Sequence, residues 1–108
     1  MVRVELLKHD HQVFGYEVSG HAGYAESGQD IVCSAVSILA YTGINTLLDR
    51  YECSITYEID EGYILLKLEQ ETLENCKEAS VVLETIAVGF ESILESYPEY
   101  ITLKSREV

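Results

Sequence analysis

The N-terminal segment alternates between apolar and polar side chains. Val2, Val4 and Leu6 are apolar and the residues between them are charged, which is the pattern of a β-strand with one buried face. A second apolar segment, 13–18, follows a polar break at residues 9–11. Two such segments around a short polar break predict a β-hairpin.

A glycine-bearing stretch, 20–29, separates this hairpin from a segment with helical periodicity. The pattern predicts a loop up to about residue 29 and a helix that begins at Asp30. Segment 31–48 has no charged residue and nearly reaches the length that crosses a membrane. Its serine, threonine, tyrosine and asparagine side chains favour a buried helix instead, so we expect no membrane partner. The apolar positions at helical spacing are Val32, Val36, Leu39, Gly43 and Leu47.

The second half of the chain predicts two more strands, a helix and a final strand. Segments 54–59 and 63–69 flank the turn at residues 60–62 and form a strand pair. Thr72 is placed to cap a second helix, which Pro98 ends, and residues 100–103 form the last strand. The apolar stripe of this helix comprises Leu73, Cys76, Ala79, Leu83, Ile86, Phe90, Ile93 and Tyr97.

The predicted order of elements is therefore ββαββαβ. Two helices packed against a mostly antiparallel sheet make an α+β architecture. The chain has 108 residues, of which 47% are hydrophobic, and this suffices for one packed core without a metal or a disulfide. We expect residues 1–108 to form a single domain.

The net charge of the chain limits the classes of partner that it is expected to bind. The chain has 19 acidic and 7 basic side chains and a formal net charge of −12. Such a surface repels phosphate backbones, so we expect no direct binding of nucleic acid. A basic partner suits it, although the charge is also consistent with a role in solubility alone.

The cysteines and the N-terminus indicate the compartment. Cys33, Cys53 and Cys76 form no CxxC pair, which is typical of reduced thiols in an intracellular protein. The first ten residues lack the long apolar core of a secretory signal. We therefore expect a cytoplasmic location.

Cys33 is the cysteine whose position favours a reactive thiolate, the nucleophilic form of the side chain. With Asp30 as the N-cap, Cys33 falls in the first helical turn, where free N–H groups and the macrodipole favour negative charge. Cys76 lies on the apolar stripe and Cys53 lies beside Glu52, so neither position favours a thiolate. A purely structural role for Cys33 remains the alternative.

His21 is the candidate catalytic base, because a loop of this length lets it fold back to the helix start and pair with Cys33. The alternative is an exposed histidine without a role. Asp30 either caps the helix or orients His21. These three residues match no zinc-site spacing, so we expect no metal and no cofactor.

Three glycines, Gly20, Gly23 and Gly28, give the stretch the backbone freedom that a loop closing over a substrate needs. A phosphate-binding loop is the rival interpretation. The stretch lacks the P-loop lysine and the GxGxxG spacing, so that interpretation is weak.

The stretch GHAGYAESGQDIVCSAVS, residues 20–37, resembles the signature of the ribosomal-processing cysteine proteases. These are small bacterial proteins with a GHA motif, a variable glycine-bearing loop and a helix start of the form GxDxVC[AS]AxS. The matching positions are Gly20, His21, Ala22, Gly28, Asp30, Val32, Cys33, Ala35 and Ser37.

The resemblance implies a peptidase that removes the N-terminal extension of a large-subunit ribosomal protein precursor, cutting just after paired phenylalanines. It implies a catalytic dyad of Cys33 and His21, which acts by acyl transfer, and supporting positions at Asp30 and Ser37. It also implies a homodimer. The substrate loop would contain Gly20, Ala22, Gly23 and Gly28.

Two other functions stay open at this point. A non-catalytic acidic adaptor would bind a basic ribosomal protein through the same loop. A redox sensor built on Cys33 would need a nearby resolving cysteine, and neither Cys53 nor Cys76 obviously supplies one.

Overall fold

The computed structural model describes the backbone of residues 1–20 and 27–108 and the side chains of residues 1–20 and 31–108. Within these ranges the chain confirms the predicted α+β class and the predicted order of elements along the chain, except that two consecutive helices stand where one was predicted. The elements are β1 Val2–His9, β2 Gln12–Ser19, α1 Ser27–Asp49, β3 Ile55–Asp60, β4 Tyr63–Leu68, α2 Gln70–Asn75, α3 Lys77–Ser96 and β5 Ile101–Glu107.

The strands form one sheet with the order β3-β4-β2-β1-β5. β1 pairs with β2, β2 with β4 and β3 with β4 in antiparallel fashion, whereas β5 runs parallel to β1. The prediction of a mostly antiparallel sheet is therefore confirmed. β5 extends beyond the predicted segment 100–103 because its backbone continues to pair with β1 as far as Glu107.

The hairpin between β1 and β2 turns on two residues, Asp10 and His11. Both have positive φ, 50° and 66°, as the two central residues of a type I′ turn do. This turn matches the right-handed twist of the flanking strands, and His9 pairs with Gln12 directly beside it. The predicted hairpin is confirmed, with its turn centred within residues 9–11.

Helix α1 begins at Ser27, three residues before the predicted start. The prediction that Asp30 caps the helix is therefore wrong, and Gly28 lies in the helix rather than in a loop. A helical glycine costs only about 1 kcal/mol relative to alanine, which is too little to end a helix of 23 residues.

The uncharged segment of α1 is a core helix in this structure. By length and composition alone, Ile31–Asp49 could cross a membrane. The helix instead packs one face against the sheet and α3. The buried side chains of that face are Val32, Val36, Ala40, Ile44 and Leu47.

The second helical region is interrupted at Cys76, whose extended backbone, φ −120° and ψ 97°, separates α2 from α3. Glu69 is the N-cap of α2, so the prediction that Thr72 caps this region is wrong. Thr72 is buried, and its hydroxyl donates a 2.8 Å hydrogen bond to the carbonyl of Ser54. α3 ends at Ser96, as the position of Pro98 predicts, and the stripe residues Ala79, Leu83, Ile86 and Phe90 are buried.

Tyr16 joins the sheet to both long helices. Its ring is fully buried, its hydroxyl donates a 2.5 Å hydrogen bond to the carbonyl of Ala40 in α1, and it meets the ring of Phe90 edge-on at 5.5 Å. Gly43 lies beside this hydroxyl, and a Cβ atom there would collide with it. The absence of a side chain at residue 43 therefore lets the tyrosine reach the helix.

We expect Gly43→Ala to destabilise the protein by about 1–3 kcal/mol, the usual cost of overpacking a core. In the Tyr16→Phe background the same change should cost much less, because the colliding hydroxyl is gone. Chemical denaturation of the wild type, the two single variants and the double variant measures this coupling. Equal costs of Gly43→Ala in both backgrounds would contradict it.

Candidate active site

Cys33 lies in a pocket formed between α1 and the sheet. Cys33, Ser37 and Tyr41 follow one another at intervals of four residues, so they share one face of α1. The pocket has a volume of about 100 Å³, and the thiol is half-buried in it. Its other lining residues are Val2, Val18, Gly20, Val36, Asp60, Gly62, Tyr63 and Ile64.

The end of β2 is hydrogen-bonded to the β3–β4 turn at the pocket wall. The N–H of Gly20 donates a 3.1 Å hydrogen bond to the carbonyl of Gly62. Gly20 has a φ of +79°, and a Cβ atom on it would collide with the carbonyl of Met1. Glycine at position 20 thus lets the chain leave the sheet beside the pocket.

The structure brings together three of the predicted site residues, Gly20, Cys33 and Ser37. His21, Ala22 and Gly23 lie outside the described residues, so the catalytic pair and most of the substrate loop stay predictions. The backbone of Asp30 lies in the first turn of α1, while its side chain is outside the described part.

The physical argument that singled out Cys33 is wrong in one respect. Because α1 begins at Ser27, Cys33 is the seventh residue of the helix. The free N–H groups of α1 belong to residues 27–30, and the effect of the macrodipole falls off within that first turn. Activation of Cys33 therefore requires a neighbouring base rather than the helix terminus.

Tyr63 is a pocket residue that the sequence interpretation assigned only to a strand. Its hydroxyl donates a 2.6 Å hydrogen bond to Oε2 of Glu17 on β2. This hydrogen bond to a carboxylate, together with burial and the charge of Glu17, raises the pKa of Tyr63 to about 12. Tyr63 therefore stays protonated at neutral pH. Its ring is held by Glu17 on the face of the sheet opposite the helices, because the next residue, Ile64, is buried on the helix side. Only the pairing of β2 with β4, in which Glu17 lies opposite Leu65, reveals this contact.

An exposed apolar surface continues from the pocket along the edge strand β3. Tyr57 and Ile59 lie in register with the buried residues Leu66 and Ile64 of β4, so they point to the helix side of the sheet. They remain 48% and 45% exposed because the helices do not cover this edge. We call Tyr57, Ile59 and the 37% exposed Tyr41 the β3 surface.

Metal ligands are not clustered in the part of the chain that the structure describes. No group of three or more histidine, cysteine, aspartate or glutamate side chains there could hold a metal ion. The expectation that no metal takes part remains untested for the whole chain, because His21 and the side chain of Asp30 lie outside that part.

Comparison with known proteins places this chain and its fold among peptidases. A family model described as Cysteine protease Prp matches residues 1–102. The ribosomal processing cysteine protease Prp of Bacillus subtilis is 30% identical over 94 residues, which cover 84% of this chain and 84% of that protein.

Two similar crystal structures are of an essential ribosomal processing protease Prp from Staphylococcus aureus. The complex with a substrate peptide has a TM-score of 0.87 and 26% identity and covers 98% of this chain and 100% of that one. The complex with a covalently linked product peptide has a TM-score of 0.84 and 27% identity with the same coverage.

Proposed function

Because the chain belongs to the cysteine protease Prp family, we propose that it removes the N-terminal extension of a large-subunit ribosomal protein precursor. Its activity is that of a cysteine protease. The observation that carries the proposal is the half-buried Cys33 thiol in a pocket that opens between α1 and the β3–β4 turn. The relatives solved with a substrate peptide and with a covalently linked product peptide support it.

In the proposed mechanism, His21 takes the proton from the Cys33 thiol and the sulfur attacks the carbonyl carbon of the scissile peptide bond. The C–N bond then breaks as His21 returns the proton to the leaving amine. Water hydrolyses the thioester and regenerates the thiol. Asp30 and Ser37 act as supporting residues, and Ser37 lines the pocket together with Cys33.

We propose that the substrate peptide lies in extended form along β3. This strand pairs with β4 on one side, and its other side is the edge of the sheet, where an extended peptide can add as a further strand. Successive side chains of an extended strand point to opposite faces, so one of the paired phenylalanines that the resemblance implies before the cut would contact the β3 surface. Continuity supports this placement, because Tyr41 belongs to the β3 surface and also lines the pocket, as does Asp60 at the end of β3.

The acidic charge of the protein supports a basic precursor as the partner. Asp60 lies at the pocket wall, and Glu58 and Glu61 are exposed nearby on the same hairpin. These carboxylates attract a cationic peptide and repel nucleic acid, so a direct nucleic-acid partner is not part of the proposal.

We expect Tyr57→Thr to raise KM about tenfold with little change in kcat, because it removes apolar contact area from substrate binding. Threonine keeps the strand propensity of the position. Tyr97→Thr is the control, since Tyr97 is a 38% exposed tyrosine at the C-cap of α3 that belongs neither to β3 nor to the residues lining the pocket. Cleavage kinetics of a peptide with paired phenylalanines measure both constants. An equal KM for the two variants would refute the placement along β3.

The function itself is tested with the purified protein and a peptide that spans the extension and the first residues after it. Mass spectrometry of the products should show one cut, directly after the paired phenylalanines. Tight peptide binding without any cleavage would instead identify a non-catalytic adaptor.

We further propose that the protein acts as a homodimer in the cytoplasm. Ile38, Val81 and Val88, on the outer faces of α1 and α3, are 57–65% exposed and supply apolar area for a second copy. The three cysteines are free thiols, as is usual in a reducing compartment. Sedimentation over a range of concentrations tests the dimer, and fractionation of cells tests the location.

A further inference from the structure

Cys53 and Cys76 form a pair of thiols that the peptidase mechanism does not use. Their sulfur atoms are 3.6 Å apart, although the residues are 23 positions apart in the chain. Cys53 lies in the connection between α1 and β3, and Cys76 lies at the break between α2 and α3. Neither lines the pocket of Cys33.

Hydrogen bonds fix the backbone on both sides of this pair. The N–H of Cys53 donates to the carbonyl of Leu47 at 2.9 Å, and that of Cys76 donates to the carbonyl of Thr72 at 2.9 Å. Thr72 in turn donates its hydroxyl to the carbonyl of Ser54, the residue after Cys53. The two thiols therefore face each other because the fold holds their backbones in place.

We propose that Cys53 and Cys76 are a redox modification site, which closes to an intramolecular disulfide by exchange with a small disulfide such as oxidised glutathione. A thiolate of the pair attacks one glutathione sulfur, and the S–S bond of glutathione breaks to release one reduced glutathione. The second thiol loses its proton and displaces the other glutathione. The protein loses two electrons and two protons, and one oxidised glutathione becomes two reduced ones.

The geometry allows the bond with little rearrangement. The sulfur atoms must approach from 3.6 Å to about 2.05 Å, which is within the reach of side-chain rotation. A cavity of about 190 Å³ opens over both thiols and gives an incoming disulfide access to them. Its lining includes Glu52 and Glu71 as well as Cys53 and Cys76.

The raised pKa of the Cys53 thiol fits a pair that stays reduced until an external disulfide, such as oxidised glutathione, is in excess. Burial, followed by the hydrogen bond and the charge of Cys76 and then by the charge of Glu78, raises the pKa of Cys53 to about 11. Cys53 is therefore protonated at neutral pH and exchanges slowly. The Cys76 thiol itself lies 3.8 Å from Oε2 of Glu78. Formation of the disulfide should accelerate as the pH rises towards 9, because the thiolate fraction increases.

Oxidation of the pair should stabilise the fold and leave the peptidase site unchanged. The cross-link closes a loop within residues 53–76 and ties the start of β3 to the helical break, which restricts the unfolded chain. We expect Tm to rise by roughly 5–15 °C. Cys33 lies near the opposite end of α1, so the cross-link should not alter its pocket.

The test uses the full chain in the Cys33→Ser background, reduced and then incubated with oxidised glutathione. Intact mass should show the loss of two hydrogen atoms without a glutathione adduct, and peptide mapping should link residues 53 and 76. Tm measured on the same sample should rise. A protein that stays fully reduced with excess oxidised glutathione at pH 8.5, about where free thiols titrate, or that carries stable adducts, would overturn the proposal.

Two single variants supply the control. Cys53→Ser and Cys76→Ser, in the same background, should each accept one glutathione and keep it, because the resolving thiol is missing. Serine keeps the size of the side chain at both positions. Loss of the adduct from these variants would contradict the assigned pairing. None of these readouts depends on peptide cleavage, so they can fail or succeed independently of the proposed function.

Discussion

Cys33→Ala is expected to abolish peptide cleavage while the protein keeps its fold and its affinity for the peptide. Alanine removes the sulfur that forms the acyl bond, and loss of a catalytic nucleophile costs roughly 10⁶-fold in kcat. The side chain is half-buried at the edge of the core, so its truncation should change stability by about 1 kcal/mol or less. Single-turnover cleavage, peptide binding and thermal unfolding are measured on the same preparation.

Cys53→Ala serves as the matched control for Cys33→Ala. Cys53 is also a partly buried cysteine packed against the core, but it lies outside the pocket. We expect full cleavage by Cys53→Ala and none by Cys33→Ala. Cleavage that persists in Cys33→Ala would remove Cys33 from the mechanism, whatever the control does.

His21→Ala is expected to lower kcat by about 10²–10⁴-fold, the usual contribution of a positioned general base. Because α1 begins six residues before Cys33, the helix terminus does not activate the thiol, and the imidazole carries this role in the proposed mechanism. Added imidazole should partly restore cleavage by the variant, since the alanine leaves room for it. Cleavage rates with and without imidazole, together with peptide affinity, measure the effect.

His11→Asn separates the role of His21 from a general effect of losing a histidine. The side chain of His11 is 97% exposed in the β1–β2 turn, and asparagine tolerates the positive φ of that position. We expect wild-type kinetics from this variant. A His21→Ala variant with unchanged kcat would show that another group deprotonates Cys33.

Several elements could be predicted from the sequence because their causes are local. The alternation of Val2, Val4 and Leu6, followed by a polar break, implies a strand and a tight turn, and the structure contains both. Pro98 cannot continue a helix, and α3 ends just before it. The stripe from Ala79 to Phe90 is buried as its spacing predicts.

The boundaries of the helices could not be predicted in the same way. A glycine at residue 28 and an acidic residue at 30 suggested a start at Asp30, yet the helical backbone continues to Ser27. Thr72 has the chemistry of an N-cap, but its hydroxyl bonds the carbonyl of Ser54 in the α1–β3 connection. In both cases the local preference of the residue was a valid prediction but did not decide the structure. Backbone hydrogen bonds of the helix decide the start at Ser27, and a tertiary hydrogen bond decides the position of Thr72, and neither can be read from the sequence.

The sequence by itself determined the order of strands and helices along the chain, the two core-facing helical stripes and, through residues 20–37, the membership of the family and the candidate nucleophile. These depend on periodicity and on a contiguous motif, which can be read along the chain. Only the tertiary structure decided that Tyr63 is held by Glu17 across the sheet and that Cys53 faces Cys76. Both contacts join residues far apart in the chain, and strand register and the packing of α2 against its neighbours, rather than any local preference, bring their side chains together.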